Sequence, residues 1–340
     1  MIPMQMHKHI KFYFFFFIFL FFTEYTKAST SEEFKIWLKD FKTEAIQKGI
    51  SEQTVSLVFK NARYLEKVIK YDRRQPEFIE LTEIYVNKRA TKNRAQKAKA
   101  LYLQNKKLFD EVEKKFLVEK ELLLAFWGIE TNFGKYVGKM DIVSSLATLS
   151  FDKRRSDFFT NELITILQLV EKDIIDYKIL YGSWAGAFGN FQFMPTTIKK
   201  YAIDYNSNDI IELHNLEDSF ASAANYINKM GWKKNNPCFI KIELSEEIPM
   251  NFLNTSAKNI KNRKKLSYFK KYIIDFEKLN INESLTASII TPDKDIVTDA
   301  QDLNPAYLIF DNYELILKWN RSLRFALAVC TLKDKFTNEL

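Results

Sequence analysis

The sequence predicts a mainly α-helical protein of the α+β kind, with a small sheet late in the chain. Three observations carry this. Apolar residues recur at helical spacing from about residue 31 to 235. After Pro237 the pattern changes to short alternating runs. The composition, 46% hydrophobic with only 8 glycines and 7 prolines in 340 residues, supports a packed core and excludes collagen-like and Pro-rich low-complexity chains.

The elements follow in order. Residues 1–28 read as an address and not as part of the fold. Lys8 and Lys11 precede an apolar run from Phe12 to Phe22, and Thr26-Lys27-Ala28 supplies small residues after it. Basic, apolar, then small is the pattern of a secretory signal. The eleven-residue run is short of the roughly 20 residues a spanning helix needs. A cleaved signal ending at Ala28 is expected, with a retained N-terminal anchor as the alternative. No Cys follows the run, so a lipid anchor is not expected.

Phe34, Trp37, Leu38 and Phe41 then recur at helix spacing, as do Val55, Leu57, Val58 and Phe59 before a turn at Asn61. Residues 79–116 read as one or two long basic amphipathic helices. An apolar helix over 122–130 should end at Thr131-Asn132-Phe133-Gly134. Another covers 158–177. A Gly-rich stretch runs from Gly182 to Gly189, Pro195 opens a helix, and a helix over 219–230 is capped by Gly231. Residues 239–244, 285–290 and 307–310 read as strands, 246–267 as a loop excursion and 319–332 as a closing helix. The units expected are the signal (1–28), a helical part (29–118), a core (119–236), a β-containing region (237–311) and a C-terminal helix (312–340).

Export narrows the function classes. The formal charge is +8; removing residues 1–28 takes three lysines and one glutamate, leaving +6. Nucleic acid drops as a partner, and an acidic wall polymer fits the charge. Two cysteines exclude a disulfide scaffold and a Cys-built zinc cluster. Cys238 and Cys330 either pair in an oxidising compartment or stay as two buried thiols. With His7 and His9 in the signal, His214 alone remains, too little for a His-built metal site.

Chemistry concentrates in two places. Leu123, Phe126, Trp127 and Glu130 fall on one helix face, which is otherwise apolar. A poorly solvated carboxyl favours its neutral form, so a raised pKa is expected, which suits a proton donor to a glycosidic oxygen. A helix-end glutamate also suits loop capping or solvent. The second place is Gly182–Pro195, where Trp184 and three phenylalanines alternate with Ser183, Asn190 and Gln192. Flat rings and neutral polar groups suit a sugar polymer, with a groove expected around Trp184, Phe191 and Tyr226; a tightly packed loop under the Pro195 helix is the other reading. Asp204, Asn206 and Asn208 space oxygens as a calcium loop begins, but Asp209 stands where Gly is wanted and Asn215 where a Glu should close it.

These residues together resemble the membrane-bound lytic murein transglycosylase B family. The resemblance rests on Trp127-Gly128-Ile129-Glu130-Thr131-Asn132-Phe133-Gly134 and on Asp72-Arg73-Arg74-Gln75-Pro76-Glu77-Phe78. It extends to Ala147-Thr148-Leu149-Ser150-Phe151 with Arg154-Arg155, Gly182–Pro195, Ala224-Asn225-Tyr226 with Gly231-Trp232, and Asn320-Arg321-Ser322 with Ala326-Leu327-Ala328-Val329. It implies a lysozyme-like core and cleavage of the β-1,4 bond between N-acetylmuramic acid and N-acetylglucosamine, leaving 1,6-anhydromuramoyl ends. It implies Glu130 as sole acid and base and no cofactor. Ser183 and Asn320 are implied to bond the glutamate or substrate. Gln192, Tyr226 and Tyr85 are implied to line the glycan cleft, and Arg154 and Arg155 to meet substrate carboxylates or amides. The sequence departs at Trp319 and Phe325, where the family commonly has Tyr. Glycan strands are the expected partner, with other cell-wall enzymes compatible. A hydrolytic muramidase and a non-catalytic wall-binding protein are the competing readings.

Overall fold

The computed structural model describes residues 30–74, 79–294, 296–297 and 300–337. The signal segment and residues 75–78 of the Asp72–Phe78 motif lie outside them. Among the described residues, no helix is long and apolar enough to cross a membrane.

Helix α1 spans 30–47, followed by α2 (Glu52–Val58) and α3 (Glu66–Asp72). The basic region expected as one or two helices is three: α4 (Thr82–Arg89), α5 (Lys92–Gln104) and α6 (Lys106–Phe116). The breaks have local causes. The Thr91 hydroxyl caps α5 by accepting from the Arg94 N–H, and Asn105 closes it at φ −125°, ψ 27°.

Helix α7 (Lys120–Thr131) runs through the middle of the helical core. Every residue from Leu122 to Gly128 is buried, so the middle of α7 is apolar all round, as a surrounded stretch must be. An antiparallel pair of two-residue strands, β1 (Met140–Asp141) and β2 (Tyr181–Gly182), brackets α8 (Ile142–Phe151) and α9 (Ser156–Glu171). Helix α9 stops six residues short of the expected end, and a 3-10 turn at Tyr177–Ile179 replaces its tail. Helices α10 (Pro195–Tyr201) and α11 (Leu216–Lys229) follow.

The late sheet has the order β3-β7-β6-β4, with β5 on β6. Its strands are β3 (Phe239–Ile242), β4 (Leu253–Asn254), β5 (Lys264–Lys265), β6 (Thr286–Ile290) and β7 (Ala306–Ile309), and the short α12 (Leu266–Phe269) packs beside them. β3 and β6 both run antiparallel to β7, in registers that pair Phe239 and Ser288 with Ile309. Ile242, Leu244, Leu266, Phe269, Ile289 and Leu308 form a second core under this sheet. The stretch expected as a plain loop therefore contains β4 and β5.

The closing segment is two helices, α13 (Asp311–Trp319) and α14 (Leu323–Thr337), not one. Asn320, at φ −138°, ψ 119°, ends α13, and the chain turns before Ser322 accepts from the Phe325 N–H. That break is what presents Trp319 at a helix end.

Side-chain ties join sheet to helices. Cys238 and Cys330 form a disulfide across a Cα–Cα distance of 6.2 Å, linking the start of β3 to α14. Asp293, after β6, accepts from the Thr82 N–H at 2.9 Å and from buried Arg324 at 2.8 Å. A buried ion pair needs such added hydrogen bonds to offset desolvation.

Candidate active site

Glu130 sits in the last turn of α7, half-buried. The helix ends there because Asn132, Phe133 and Gly134 all take positive φ, at 51°, 61° and 76°. The Thr131 hydroxyl donates to the Asn190 carbonyl at 2.9 Å and accepts from the Gly134 N–H at 3.0 Å. The Trp127 indole donates to Asn190 Oδ1 at 3.1 Å. The end of α7 is thereby fastened to the Gly-rich stretch.

That stretch is a tight double turn. Phe188 and Phe193 pair as an isolated bridge, and Gln192 takes φ 50° between them. Gly138 is required by close approach: a Cβ there would stand 2.1 Å from the Gly182 carbonyl carbon. Asn190, expected to face sugar, is 3% exposed. Its amide donates to the His214 carbonyl at 3.0 Å and to Ser219 Oγ at 3.1 Å. It is a brace between α7, the stretch and α11. Phe191 is likewise buried, against Phe220, so it offers no face to a glycan. Burial pushes the His214 imidazole below its usual range.

The open face lies beside Trp319. A cavity of about 490 Å³ is lined by Arg155, Phe158, Glu162, Gln192, Phe193, Met194, Thr196, Thr197, Tyr226, Lys318, Trp319 and Arg321. Tyr226 is sandwiched between Tyr201 at 4.3 Å and Trp319 at 5.1 Å, both stacked. Burial pushes its hydroxyl up to about 12, so it stays a neutral hydrogen-bonding group. Glu130 does not itself line this cavity. It meets it through Trp319, whose indole N–H donates to Glu130 Oε1 at 2.9 Å. The aromatic that replaces the expected tyrosine therefore keeps a donor on the glutamate. Phe325, the other departure, is buried in α14 near Phe126 and is part of the core.

The structure places the remaining sequence-predicted residues as follows. Gln192 lines the cavity while its Nε2 donates to the carbonyls of Val137 (3.1 Å) and Gly189 (2.9 Å). Ser183 Oγ accepts from the Ala187 and Ala185 amides at 3.0 and 3.3 Å, which leaves its proton to donate elsewhere. Asn320 lies between two cavity residues, Trp319 and Arg321. Tyr85 is 4% exposed, and the Arg89 guanidinium lies 3.5 Å over its ring. It sits within α4, away from the cavity lining, because α4 packs on α14.

Arg154 and Arg155 converge on Asp72, whose side chain is 1% exposed. Arg154 Nε donates to its Oδ2 at 2.8 Å, and Arg154 Nη2 to its backbone carbonyl at 2.8 Å. Arg73 adds a third contact at 2.5 Å and bridges to Asp152 at 2.9 Å. Burial pushes the Asp72 carboxyl up, but the Arg154 and Arg155 hydrogen bonds overcome it and hold it below its usual value. Arg155 also lines the cavity.

Sequence reading missed Glu162. This carboxyl, 1% exposed, accepts from Thr196 N–H at 2.8 Å and Thr196 Oγ at 2.6 Å, fixing the start of α10. Burial raises it above its usual range. Its signal was faint, one carboxylate on the buried face of α9.

In the calcium-like loop the side-chain oxygens take backbone amides. Asp204 takes the Asn208 and Asp209 amides at 3.1 and 2.8 Å, and Asn208 Oδ1 takes that of Ile210 at 3.1 Å. The closing position is Asn215, which caps α11 through the Glu217 amide. The buried Asp218 carboxylate accepts from the Tyr205 and Glu212 amides of this loop, each at 2.9 Å. Among the described residues no group of three or more His, Cys, Asp or Glu gathers around a common point suited to a metal.

Comparison with known proteins places this arrangement. The transglycosylase SLT domain family matches residues 33–334. Membrane-bound lytic murein transglycosylase B of Escherichia coli (strain K12) is 31% identical over 225 residues, which are 63% of this chain and 56% of that relative. The chain thus spans little more than half the length of that protein. SltB3 of Pseudomonas aeruginosa, crystallised with NAG-NAM-pentapeptide, superposes with a TM-score of 0.78 at 28% identity, covering 89% of this chain and 79% of that one. The Escherichia coli lytic transglycosylase Slt35, crystallised with calcium, shares the fold, with a TM-score of 0.73, 24% identity and coverage of 89% and 93%. On the extent of the family match, this chain belongs to the transglycosylase SLT domain family.

Proposed function

We propose that this protein is a lytic transglycosylase of peptidoglycan, with Glu130 as its only acid and base. The observation that carries the reading is the placement of Glu130 at the end of a buried helix, bonded to an aromatic that lines an open cleft. The relative crystallised with NAG-NAM-pentapeptide, and also with NAG-anhNAM-pentapeptide, supports this substrate class.

In this mechanism Glu130 gives its proton to the glycosidic oxygen as the bond from that oxygen to muramoyl C1 breaks. The resulting carboxylate takes the proton of the muramoyl C6 hydroxyl while that oxygen bonds to C1. Atoms balance with no water consumed, and the nucleophile belongs to the substrate. One carboxyl then suffices, where hydrolases of glycosides use a pair. Trp319, Phe193 and the edge of Tyr226 give the cleft apolar surface for sugar rings, and Lys318, Arg321 and Arg155 give it a positive edge for the acidic polymer. The N-terminal pattern supports export to the periplasm, where this polymer lies.

The test is incubation of purified protein with peptidoglycan and mass spectrometry of the products. The proposal expects 1,6-anhydromuramoyl ends; only reducing muramic acid would make the enzyme a hydrolase. Glu130→Gln should lower product release by at least about 100-fold, the range of general acid catalysis, with an unchanged melting temperature. Full activity in that variant would remove Glu130 from its role.

A further inference from the structure

The bond between Trp319 and Glu130 carries more than contact. An indole N–H can only donate. The carboxyl oxygen that receives it, Oε1 at 2.9 Å, is therefore favoured as the unprotonated one, because a carbonyl or carboxylate oxygen accepts more strongly than a hydroxyl oxygen. The ring has little freedom to turn away. It lies 4.4 Å from the Phe126 ring, 5.1 Å from Tyr226 and 5.2 Å from Phe193. Its backbone is the last residue of α13, and Glu130 sits in the last turn of α7. Two helix ends thus meet through one directional bond.

We propose that Trp319 is a positioning residue that confines the transferable proton of Glu130 to Oε2. The inference rests on the transglycosylase reading and adds to it. The same oxygen, in one orientation, delivers the proton to the leaving glycosidic oxygen and recovers one from the C6 hydroxyl, while Oε1 stays bonded to the indole throughout. A tyrosine at this place can donate or accept, so it does not impose the choice. The replacement read from sequence as the loss of a hydroxyl is, in three dimensions, the substitution of a donor-only group.

Two measurements test this. In protein labelled with 15N at tryptophan, which holds five such residues, the indole resonance absent from Trp319→Phe or Trp319→Tyr should titrate with pH. It should stop titrating in Glu130→Gln. In kinetics, Trp319→Phe should lower kcat about 10-fold while KM changes less than about threefold. The alkaline limb of its pH profile should move up by roughly half a unit or more, since a donor to the ionised form is gone. Trp319→Tyr should recover part of kcat. The proposal is overturned if the Trp319 resonance ignores both pH and Glu130→Gln, or if Trp319→Phe keeps wild-type kcat and an unmoved alkaline limb. The resonance arm needs no turnover. A wild-type enzyme that releases no anhydromuramoyl product sinks the transglycosylase reading, while the titration still decides the positioning role.

Discussion

Replacing Cys238 and Cys330 together by alanine cuts the covalent tie between the start of β3 and α14. The two cysteines are 92 residues apart. In the chain-entropy treatment, a loop of that length raises the free energy of the unfolded state by about 4.6 kcal/mol at 25 °C. Unfolding entropy of roughly 2.1 cal/mol/K per residue, over about 300 ordered residues, converts this to a fall in melting temperature of about 7 °C. The assay is thermal unfolding followed by circular dichroism, for wild type, the double variant, and wild type after full reduction. The last two should melt together, since both lose the same constraint. Activity at 25 °C should persist, because neither sulfur touches Glu130 or lines the cavity. A double variant melting within about 2 °C of wild type would refute the reasoning.

Asp72→Asn should destabilise the protein by about 2–3 kcal/mol, below the figure for a fully buried pair because its arginines are partly exposed. Its folded-state carboxyl is depressed, so its contribution is present above the unfolded pKa near 4 and fades as pH falls through the folded one. Urea melts at pH 7 and pH 2.5 check this: the gap between wild type and Asp72→Asn should narrow at the lower pH. Gly138→Ala should abolish activity and lower the urea midpoint, because its Cβ would stand 2.1 Å from the Gly182 backbone and its φ is +86°; a variant that melts and turns over like wild type contradicts the close packing there.

Much of the framework was readable from local signals. Pro195 marks the start of α10 by its fixed φ, Gly231 marks the end of α11 by its freedom to take positive φ, and the alternation at 239–242 marks β3. Glu130 was readable as a candidate because helical periodicity puts it on an apolar face, and its motif is long and specific. Tyr85, Asn190 and Phe191 were not readable as buried. Their chemistry suits a sugar cleft equally well, and only neighbours distant in sequence, such as Ser219, Phe220 and α14, enclose them. Arg154 and Arg155 have Asp152 and Asp157 as near neighbours in sequence, but their shared carboxylate is Asp72, more than 80 residues away.

By itself, then, the sequence determined the helix-rich class, the order of elements, the single carboxyl on an apolar helix and the family motifs. All of these depend on periodicity, turn chemistry or contiguous residues, which act within a few residues of the chain. The tertiary structure alone decided that Cys238 and Cys330 pair, that Asp72 gathers three arginines, and that the helix break after Trp319 turns a lost hydroxyl into a bonded indole. Apart from Arg73, the neighbour of Asp72, those are meetings of groups from 82 to 189 residues apart, and only the tertiary packing of their elements brings such groups together.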